Sequence, residues 1–287
     1  MILAVLCIVF ADVIVKEYTK DISSVQMVFF RSFFGVCLLL VTFFYRPPQS
    51  QGGRFGLLVF RGFLGFVNMS IFYYLVLNIS LANASVFLQT NVLFGSILSF
   101  FILKEKLSRI QVISLVIAFI GVIFVIQPQV SFGKFEILGL IMGITSGTVI
   151  LTIKQLKDHY GARMMVFSFM VSGLVFSSLA MIIAEFIEIK SLDFLISKFV
   201  MPTNKEFIFV FIFAFFSLLF AILRTKAFNL SKVGIIGTIS YSRIAFAVIF
   251  GVMLGDDIPN MMGISGITLI IISGVLISYN KGKKTDK

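Results

Sequence analysis

Charged residues are scarce in this sequence. Of its 287 residues only 13% are charged, 59% are apolar, and the mean hydropathy is +1.08. Soluble domains carry about 25% charged and about 45–50% apolar residues. The composition therefore excludes a soluble enzyme, a nucleic-acid-binding protein and a secreted scaffold, and it indicates a chain whose solvent is lipid.

Metal-ligating and catalytic side chains are also scarce. The single histidine is His159, and the two cysteines, Cys7 and Cys37, lie apart in apolar runs, so no metal site is predicted. Catalysis within the membrane would need paired carboxylates or a serine and a histidine at depth, which the sequence does not offer. The segment Gly282-Lys283-Lys284-Thr285 lacks the first glycine of a phosphate-binding loop. We predict neither an enzyme nor a cofactor, and no ATP site. Transport, if that is the function, would therefore have to be driven by gradients.

Prolines are few, and all five lie between ten apolar runs that are long enough to cross a bilayer. A membrane helix needs about 20 largely apolar residues. The predicted helices are 1–17, 26–45, 55–77, 82–103, 110–127, 135–155, 163–185, 207–228, 233–254 and 260–279. The first begins without the basic segment or cleavage site of a signal peptide, so we expect a retained helix in an all-α membrane protein.

A weak internal repeat divides the ten helices into two sets of five. A shift of 138 residues aligns Lys16 with Lys154, and a shift of 151 residues aligns Glu105 with Asp256. The 13 additional residues fall in the long connection 186–206. Because five is an odd number, the second copy should enter the membrane in the opposite orientation. The predicted organisation is an inverted pair of five-helix repeats at 1–127 and 135–280, a linker at 128–134 and a basic cytoplasmic tail at 281–287.

The net charge of +11 is mainly a matter of orientation. With the N-terminus inside, 14 basic residues lie on the cytoplasmic side and 6 on the opposite side. The positive-inside rule then places both termini in the cytoplasm. We expect a multi-pass protein of the inner membrane. Lipid and a small solute are the expected partners, without nucleic acid, and the protein is expected to be a monomer or a homodimer.

Four arginines lie within predicted helices: Arg31, Arg61, Arg224 and Arg243. A guanidinium at membrane depth costs about 3 kcal/mol or more, so each needs a partner, a wet cavity or a route to the interface. Arg243 lies near the middle of its helix, and we expect it to face a substrate cavity, the alternative being an anchor to backbone carbonyls. Arg31 and Arg224 could bind solute or reach the interface, and Arg61 is expected to be an interfacial anchor.

Uncharged polar side chains accompany these arginines. Asn68 continues the helical face of Arg61, Gln89 and Asn91 lie together in helix 4, and Ser240 is the position that the 151-residue shift equates with Gln89. Polar groups in lipid must find partners or water, so at least one of those in helix 4 should point into the bundle.

Asp12 is the one carboxylate well inside a predicted helix. One interpretation is a site that couples transport to a proton, because a carboxylate at low dielectric can bind a proton reversibly. The other, which we favour, is a static ion pair with Lys16, four residues later on the same face. The 138-residue shift supports it by placing Ile150 opposite Asp12.

A stripe of glycines runs along predicted helix 6 at Gly139, Gly143 and Gly147. Small residues at four-residue spacing allow another helix to approach closely. This pattern predicts packing, and bears on function only indirectly.

Several segments resemble the EamA-type members of the drug/metabolite transporter superfamily. They are Arg61-Gly62-Phe63-Leu64-Gly65, Leu81-Ala82-Asn83-Ala84, Leu103-Lys104-Glu105-Lys106-Leu107, Ser240-Tyr241-Ser242-Arg243 and Ser273-Gly274-Val275. The resemblance covers nearly the whole chain, and it implies two five-helix halves around a central cavity with alternating access. Members of that family often have a proline in the middle of helix 4, where this chain reads Gln89-Thr90-Asn91-Val92, so the usual bend does not follow from the resemblance.

The expected function is secondary active transport of a polar, anionic or zwitterionic small metabolite, such as an amino acid or a derivative. Deep arginines outnumber deep carboxylates, which disfavours a simple organic cation. We predict that Arg243 binds a carboxylate, that Tyr241 or Tyr73 stacks on or hydrogen-bonds the solute, and that polar residues orient it. The predicted binding residues are Arg243, Tyr241, Ser240, Gln89, Asn91, Asn68, Tyr73, Arg31 and Arg224, with Asp12 and Lys16 for coupling.

Two alternatives stay open. Members similar in the Arg61 and Tyr241–Arg243 regions include carriers of S-adenosylmethionine and riboflavin, so the resemblance also allows an uptake carrier for a nucleoside-like or flavin-like metabolite. A solute-sensing membrane protein that does not transport would bind without counterflow.

Overall fold

The computed structural model describes residues 1–19, 21–45, 52–104, 109–126, 133–187, 189–230 and 239–284. These residues form eleven α-helices and one short 3₁₀-helix at Lys190–Leu192, without a β-strand. The helices are α1 (Ile2–Tyr18), α2 (Ser24–Tyr45), α3 (Phe55–Asn78), α4 (Leu81–Gln89), α5 (Asn91–Leu103), α6 (Arg109–Ile126), α7 (Lys134–Leu156), α8 (Ala162–Phe186), α9 (Asn204–Leu230), α10 (Ser242–Met253) and α11 (Met261–Lys284).

Most of these helices are apolar over lengths that suit a bilayer. Six spans are long and apolar enough to cross it, at Ser24–Tyr45, Phe55–Asn78, Leu81–Ile102, Lys134–Ile153, Ala162–Phe186 and Asn204–Ala221. Shorter apolar helices lie at Val112–Val125, Ser242–Met253 and Met261–Leu276. Large apolar side chains are exposed on the outside of the bundle, among them Phe101 and Phe211. The protein is a multi-pass membrane protein, because several of its helices are long and apolar enough to cross a bilayer and a helix satisfies its backbone polar groups internally.

Predicted helix 4 corresponds to the apolar span Leu81–Ile102. A turn divides this span into α4 and α5, which corrects the expectation of one uninterrupted helix over 82–103. The helix is interrupted by a turn at Thr90, between α4 and α5, although no proline is present. Thr90 Oγ1 donates to the carbonyl of Phe87 at 2.6 Å, and such a bond from threonine to the preceding turn bends a helix. A similar turn at Tyr241, the position 151 residues after Thr90, precedes α10. Residues 231–238 of predicted helix 9 lie outside the described part of the chain.

The glycine stripe on α7 brings this helix against α4 and α5, as the sequence predicted. A Cβ atom at Gly143 would lie 2.2 Å from Thr90 Oγ1, and one at Gly147 would lie 2.6 Å from the backbone nitrogen of Gly95. Neither contact leaves room for a side chain, so α4 and α5 pack directly against the backbone of α7 at these glycines.

The principal contacts between helices join the first half of the chain to the second. Helix α1 packs on α9, α2 on α8, α3 on α7 and α8, α4 on α10, and α6 on α11. All of these helices except α6 and α11 contribute residues to the wall of a central cavity.

The long connection between α8 and α9 is folded against the bundle. Gln26 at the start of α2 donates its side-chain amide to the carbonyl of Val200 at 2.7 Å, and Tyr74 near the end of α3 donates to Asp193 at 2.8 Å. Phe194 is buried in the main apolar core. The insertion predicted at 186–206 therefore covers one end of α2 and α3.

Some sequence predictions fall at or beyond the described residues. Glu105 and residues 127–132, which include most of the predicted linker 128–134, lie outside them. Helix α11 extends to Lys284, so the first four residues of the predicted tail 281–287 are helical, and residues 285–287 are not described.

Candidate functional site

A cavity of about 800 Å³ lies between the two halves of the chain. Its lining runs from Asp12 back to Met1 along α1, and from Tyr73 back to Arg61 along α3. It also includes Arg163 near the start of α8. Because neighbouring helices run in opposite directions, Met1, Arg61 and Arg163 lie at the same end of the bundle. The cavity thus extends from that end to about the middle of the helices, where the side chains of Asp12 and Tyr73 bound it.

Asp12 and Arg243 form a buried ion pair at the deep end of this cavity. Arg243 Nη2 donates to Asp12 Oδ2 at 2.7 Å, and the Asp12 residue is 0% exposed. The guanidinium carbon of Arg243 also lies 4.9 Å from the centre of the Phe72 ring, a favourable arrangement of a cation on an aromatic face. The expected ion pair between Asp12 and Lys16 is wrong, because Asp12 bonds across the bundle to α10.

Lys16 lies beyond the cavity and has other partners. It pairs with Asp256 in the turn after α10, and its Nζ donates to the carbonyl of Ile79 at 3.0 Å. One helical turn separates Lys16 from Asp12, yet the two side chains take different partners because different loops and helices pack beside them. Lys16 is not among the residues that line the cavity.

Arg31 lines the deep part of the cavity from α2. Its Nη1 donates to the hydroxyl of Tyr73 at 3.1 Å and approaches the sulfur of Met69 at 2.8 Å. Both acceptors are neutral and lie on α3, and they orient the guanidinium without neutralising its charge. Arg31 thus lies on the cavity wall and does not extend to the membrane interface. Solute binding by Arg31 stays a prediction.

Arg224 lines the cavity from α9, closer to the open end. Its guanidinium carbon lies 5.6 Å from the centre of the Phe220 ring, and the residue is exposed. With Arg61 and Arg163, five arginines of the described residues line the cavity, together with one carboxylate, Asp12.

The uncharged residues that the sequence singled out also lie on the wall: Asn68, Gln89, Asn91 and Ser240. Asn68 donates to the carbonyl of Met142 at 2.8 Å and to the hydroxyl of Ser146 at 2.6 Å. Gln89 donates to the carbonyl of Ser240 at 3.0 Å. These bonds fasten α3 to α7 and α4 to the segment before α10, so part of the polarity of each amide is used in holding helices together.

Tyr241 and Arg61 depart from their predicted surroundings. Tyr241 does not line the cavity: its ring packs against Gly274 of α11, where a Cβ atom would lie 2.0 Å from the ring. Arg61 is 6% exposed and donates to the carbonyl of Met165 at 2.8 Å. It is a buried link between α3 and α8 that also lines the cavity, and not the interfacial anchor that we expected.

Aromatic side chains on the wall were missed by sequence reasoning. Phe72, Phe169 and Phe220 line the cavity, and each lies near one of its arginines. Among 36 phenylalanines nothing distinguishes these three except that Phe72 shares the helical face of Asn68. The described residues contain no group of three histidine, cysteine, aspartate or glutamate side chains that could hold a metal ion. The site offers cationic donors, one carboxylate and aromatic faces.

Comparison with known proteins gives relatives over nearly the full length. Residues 1–127 match the model of the EamA-like transporter family. An uncharacterized transporter of Helicobacter pylori (strain ATCC 700392 / 26695) is 31% identical over 284 residues, covering 97% of this chain and 93% of that protein. The pseudopaline exporter CntI of Pseudomonas aeruginosa (strain UCBPP-PA14) is 24% identical, with 94% and 91% covered.

The S-adenosylmethionine uptake transporter of Rickettsia conorii (strain ATCC VR-613 / Malish 7) is 23% identical, with 96% and 90% covered. A solved crystal structure with 15% sequence identity shares the fold, with a TM-score of 0.54 over 96% of this chain and 98% of that one.

Proposed function

Because the chain belongs to the EamA-like transporter family, we propose that it moves a polar, anionic or zwitterionic small metabolite across the inner membrane by alternating access. The family and the named relatives carry the names of transporters or exporters, which favours transport over catalysis. The proposal on the substrate depends on the positive charge of the cavity wall.

Among the described residues, the cavity wall carries one carboxylate, Asp12, and five arginines: Arg31, Arg61, Arg163, Arg224 and Arg243. Arg243 pairs with Asp12, and by residue count the charge of this wall is positive. A solute that brings carboxylate groups would be attracted by that positive charge, whereas a simple organic cation would add to it. An amino acid or an amino-acid derivative fits this balance.

Alternating access requires two halves that can exchange roles, and we propose that the halves are inverted repeats. Exchanging helices five spans apart converts the α1–α9 contact into the α7–α3 contact, and both occur. The turns at Thr90 and Tyr241 are likewise equivalent under the 151-residue shift. With both termini in the cytoplasm, as the distribution of basic residues supports, the cavity opens inward.

The proposal is tested by counterflow in proteoliposomes, screening amino acids, dicarboxylates, flavins and adenosyl metabolites. The variant Arg243→Ala should lose counterflow while it still inserts and purifies as a monodisperse protein. Arg109→Ala is the matched control, because Arg109 is exposed at the start of α6 and does not line the cavity. Unchanged counterflow in the Arg243→Ala variant would remove this residue from the site.

A second candidate solute is S-adenosylmethionine or another nucleoside-like metabolite. The aromatic faces of Phe72, Phe169 and Phe220 on the cavity wall favour it, since such faces stack on heteroaromatic rings. The counterflow screen separates this candidate from a simple amino acid. A solute that binds without any counterflow would instead indicate a sensor.

Coupling is proposed to involve a proton and Asp12, because Asp12 lines the cavity and pairs there with Arg243, whereas Lys16 pairs with Asp256 outside it. Uptake by the wild-type protein should then respond to an imposed proton gradient at constant solute concentration. The Asp12→Asn variant should show no such response. A wild-type protein that is indifferent to the gradient would remove the proton from the proposal.

A further inference from the structure

The carboxylate of Asp12 is only half satisfied. Arg243 donates to Oδ2, but Oδ1 is buried and accepts no hydrogen bond from any described residue. An ionised carboxylate has about four acceptor positions, and buried polar atoms are nearly always paired in native proteins. An unpartnered oxygen on a fully buried side chain therefore calls for a partner that is absent from the chain itself.

The position of Asp12 indicates where that partner comes from. The residue lines the deep end of the cavity, together with apolar Val5 and Ile8 of the same helix. Beyond Asp12 along α1, Val13, Ile14 and Val15 are buried in the main apolar core. A donor for Oδ1 must arrive through the cavity, so it belongs to the solute or to water.

Arg31 provides the complementary group on the neighbouring helix. Its Nη1 contacts only neutral acceptors, Tyr73 and Met69, its Nε is buried without a hydrogen-bond partner among the described residues, and no described carboxylate pairs with it. Asp12, with its unpartnered oxygen, and the cationic Arg31 thus line the same deep region of the cavity, a pattern that matches the ammonium and carboxylate of an amino acid.

On this basis, and resting on the proposed transport function, we infer that Asp12 is a specificity-determining residue: its Oδ1 accepts a hydrogen bond from a positively charged amino group of the solute while Arg31 binds the carboxylate of the same solute. The substrate is therefore an amine-bearing carboxylate. Anions that lack an amine leave Oδ1 unpartnered and bring a carboxylate towards Asp12.

The discrimination should be large. A charge-assisted hydrogen bond to a buried carboxylate corresponds to about a 10- to 100-fold difference in affinity. Removing the negative charge of Asp12 while keeping its shape, as in Asp12→Asn, should abolish that difference, because an amide does not distinguish an ammonium from a neutral donor by charge.

The test uses the purified full-length protein and two matched pools of compounds. One pool contains the protein amino acids with free amines, and the other contains the same acids with acetylated amines. Binding is measured as the shift in thermal unfolding temperature across a concentration series. Wild-type protein should bind the free-amine pool at least about tenfold more tightly, and the Asp12→Asn variant should bind both pools alike.

Two further variants guard against misfolding. Asp12→Glu keeps the charge and should keep the preference for free amines even if overall affinity falls. Asp12→Asn combined with Arg243→Gln removes both charges of the buried pair and should show no preference. Equal binding of the two pools by the wild-type protein, binding of neither pool, or a preference that survives in Asp12→Asn would each overturn the inference.

The proposed function fails separately. If counterflow of a dicarboxylate without an amine were found, transport would stand and the role of Asp12 in amine recognition would fall. If no solute gave counterflow although the free-amine pool bound selectively, amine recognition would stand and transport would fall.

Discussion

Lys16 of α1 and Asp256, in the turn between α10 and α11, form an ion pair one helical turn beyond the deep end of the cavity. Their side chains are 16% and 14% exposed. Asp256 Oδ2 also accepts a hydrogen bond from the backbone amide of Leu81 at 2.9 Å, and Lys16 donates to the carbonyl of Ile79. The pair therefore joins α1, the α3–α4 turn and the α10–α11 turn on the side of the bundle opposite the cavity opening.

If the protein works by alternating access, this junction must open in each transport cycle. We expect that a disulfide between Lys16→Cys and Asp256→Cys abolishes counterflow, because it holds α1 against the α10–α11 turn. Cys7 and Cys37 are replaced beforehand, since both are free thiols. The measurement is counterflow before oxidation, after oxidation and after reduction.

Each single-cysteine variant serves as the control and should be insensitive to oxidation. Full counterflow in a quantitatively cross-linked protein would mean that the junction stays closed throughout the cycle.

Among the ion pairs of the described residues, Asp12–Arg243 should be the most costly to break. Leaving a buried charge without its partner costs about 3–5 kcal/mol, so Arg243→Ala should lower the free energy of unfolding by that amount. Combining Arg243→Gln with Asp12→Asn should recover most of the stability but not transport. Unfolding in mixed detergent measures the stability of both variants, and counterflow measures their transport.

The exposed Lys134–Asp193 pair is the reference for that comparison. Its side chains are 41% and 46% exposed, and pairs of this kind contribute about 0–1 kcal/mol. Asp193→Asn should therefore be nearly neutral. A cost for Arg243→Ala no larger than that of Asp193→Asn would contradict the buried pairing.

The two tyrosines that the sequence proposed for solute contact should behave differently. Tyr73→Phe removes the hydroxyl that orients Arg31, and it should weaken solute affinity by about fivefold or more, the equivalent of one hydrogen bond. Tyr241→Phe should leave affinity unchanged, because Tyr241 packs on Gly274 outside the cavity. Isothermal titration calorimetry measures the solute affinity of the two variants. Equal losses of affinity would indicate that Tyr241 belongs to the binding site.

Packing of α7 on α4 and α5 gives a prediction about stability alone. Gly147→Ala would place a Cβ atom 2.6 Å from the backbone nitrogen of Gly95, which cannot rotate away, and overpacking of this kind costs about 1–3 kcal/mol. Gly56→Ala is the matched control in α3, where nothing lies within 4 Å. There the change should be neutral or slightly stabilising, because alanine favours a helix.

The candidate site could be predicted from the sequence where depth alone decided the outcome. Arg243 lies too far from either interface to escape lipid, so it had to find a partner or a cavity inside the bundle. Gln89 and Asn91 are polar groups in an apolar helix, so at least one polar residue of that helix had to point into the bundle. Arg31 and Arg224 could not be resolved in this way, because their distance from a helix end allowed either a cavity or the interface. Phe72 shares the helical face of Asn68, but the sequence did not identify it as a residue of the cavity wall, since an apolar ring is equally stable in lipid, in the core or on a cavity wall.

Local patterns failed where a side chain had more than one partner within reach. Spacing of four residues made Lys16 the obvious partner of Asp12, but Arg243 lies closer to Asp12 once α1 and α10 are packed. The break at Thr90 was missed for a related reason: no proline marks it, and the threonine hydroxyl bends the helix through its own backbone bond.

The sequence by itself determined that the solvent of this chain is lipid, where its apolar helices lie, and which polar residues are too deep for the interface, because each follows from composition over a few turns of helix. The tertiary structure alone decided that Asp12 pairs with Arg243, 231 residues away, that Lys16 pairs with Asp256, and that Tyr241 turns from the cavity towards α11. Contacts between distant segments depend on how the helices pack, and no spacing along the chain records that arrangement.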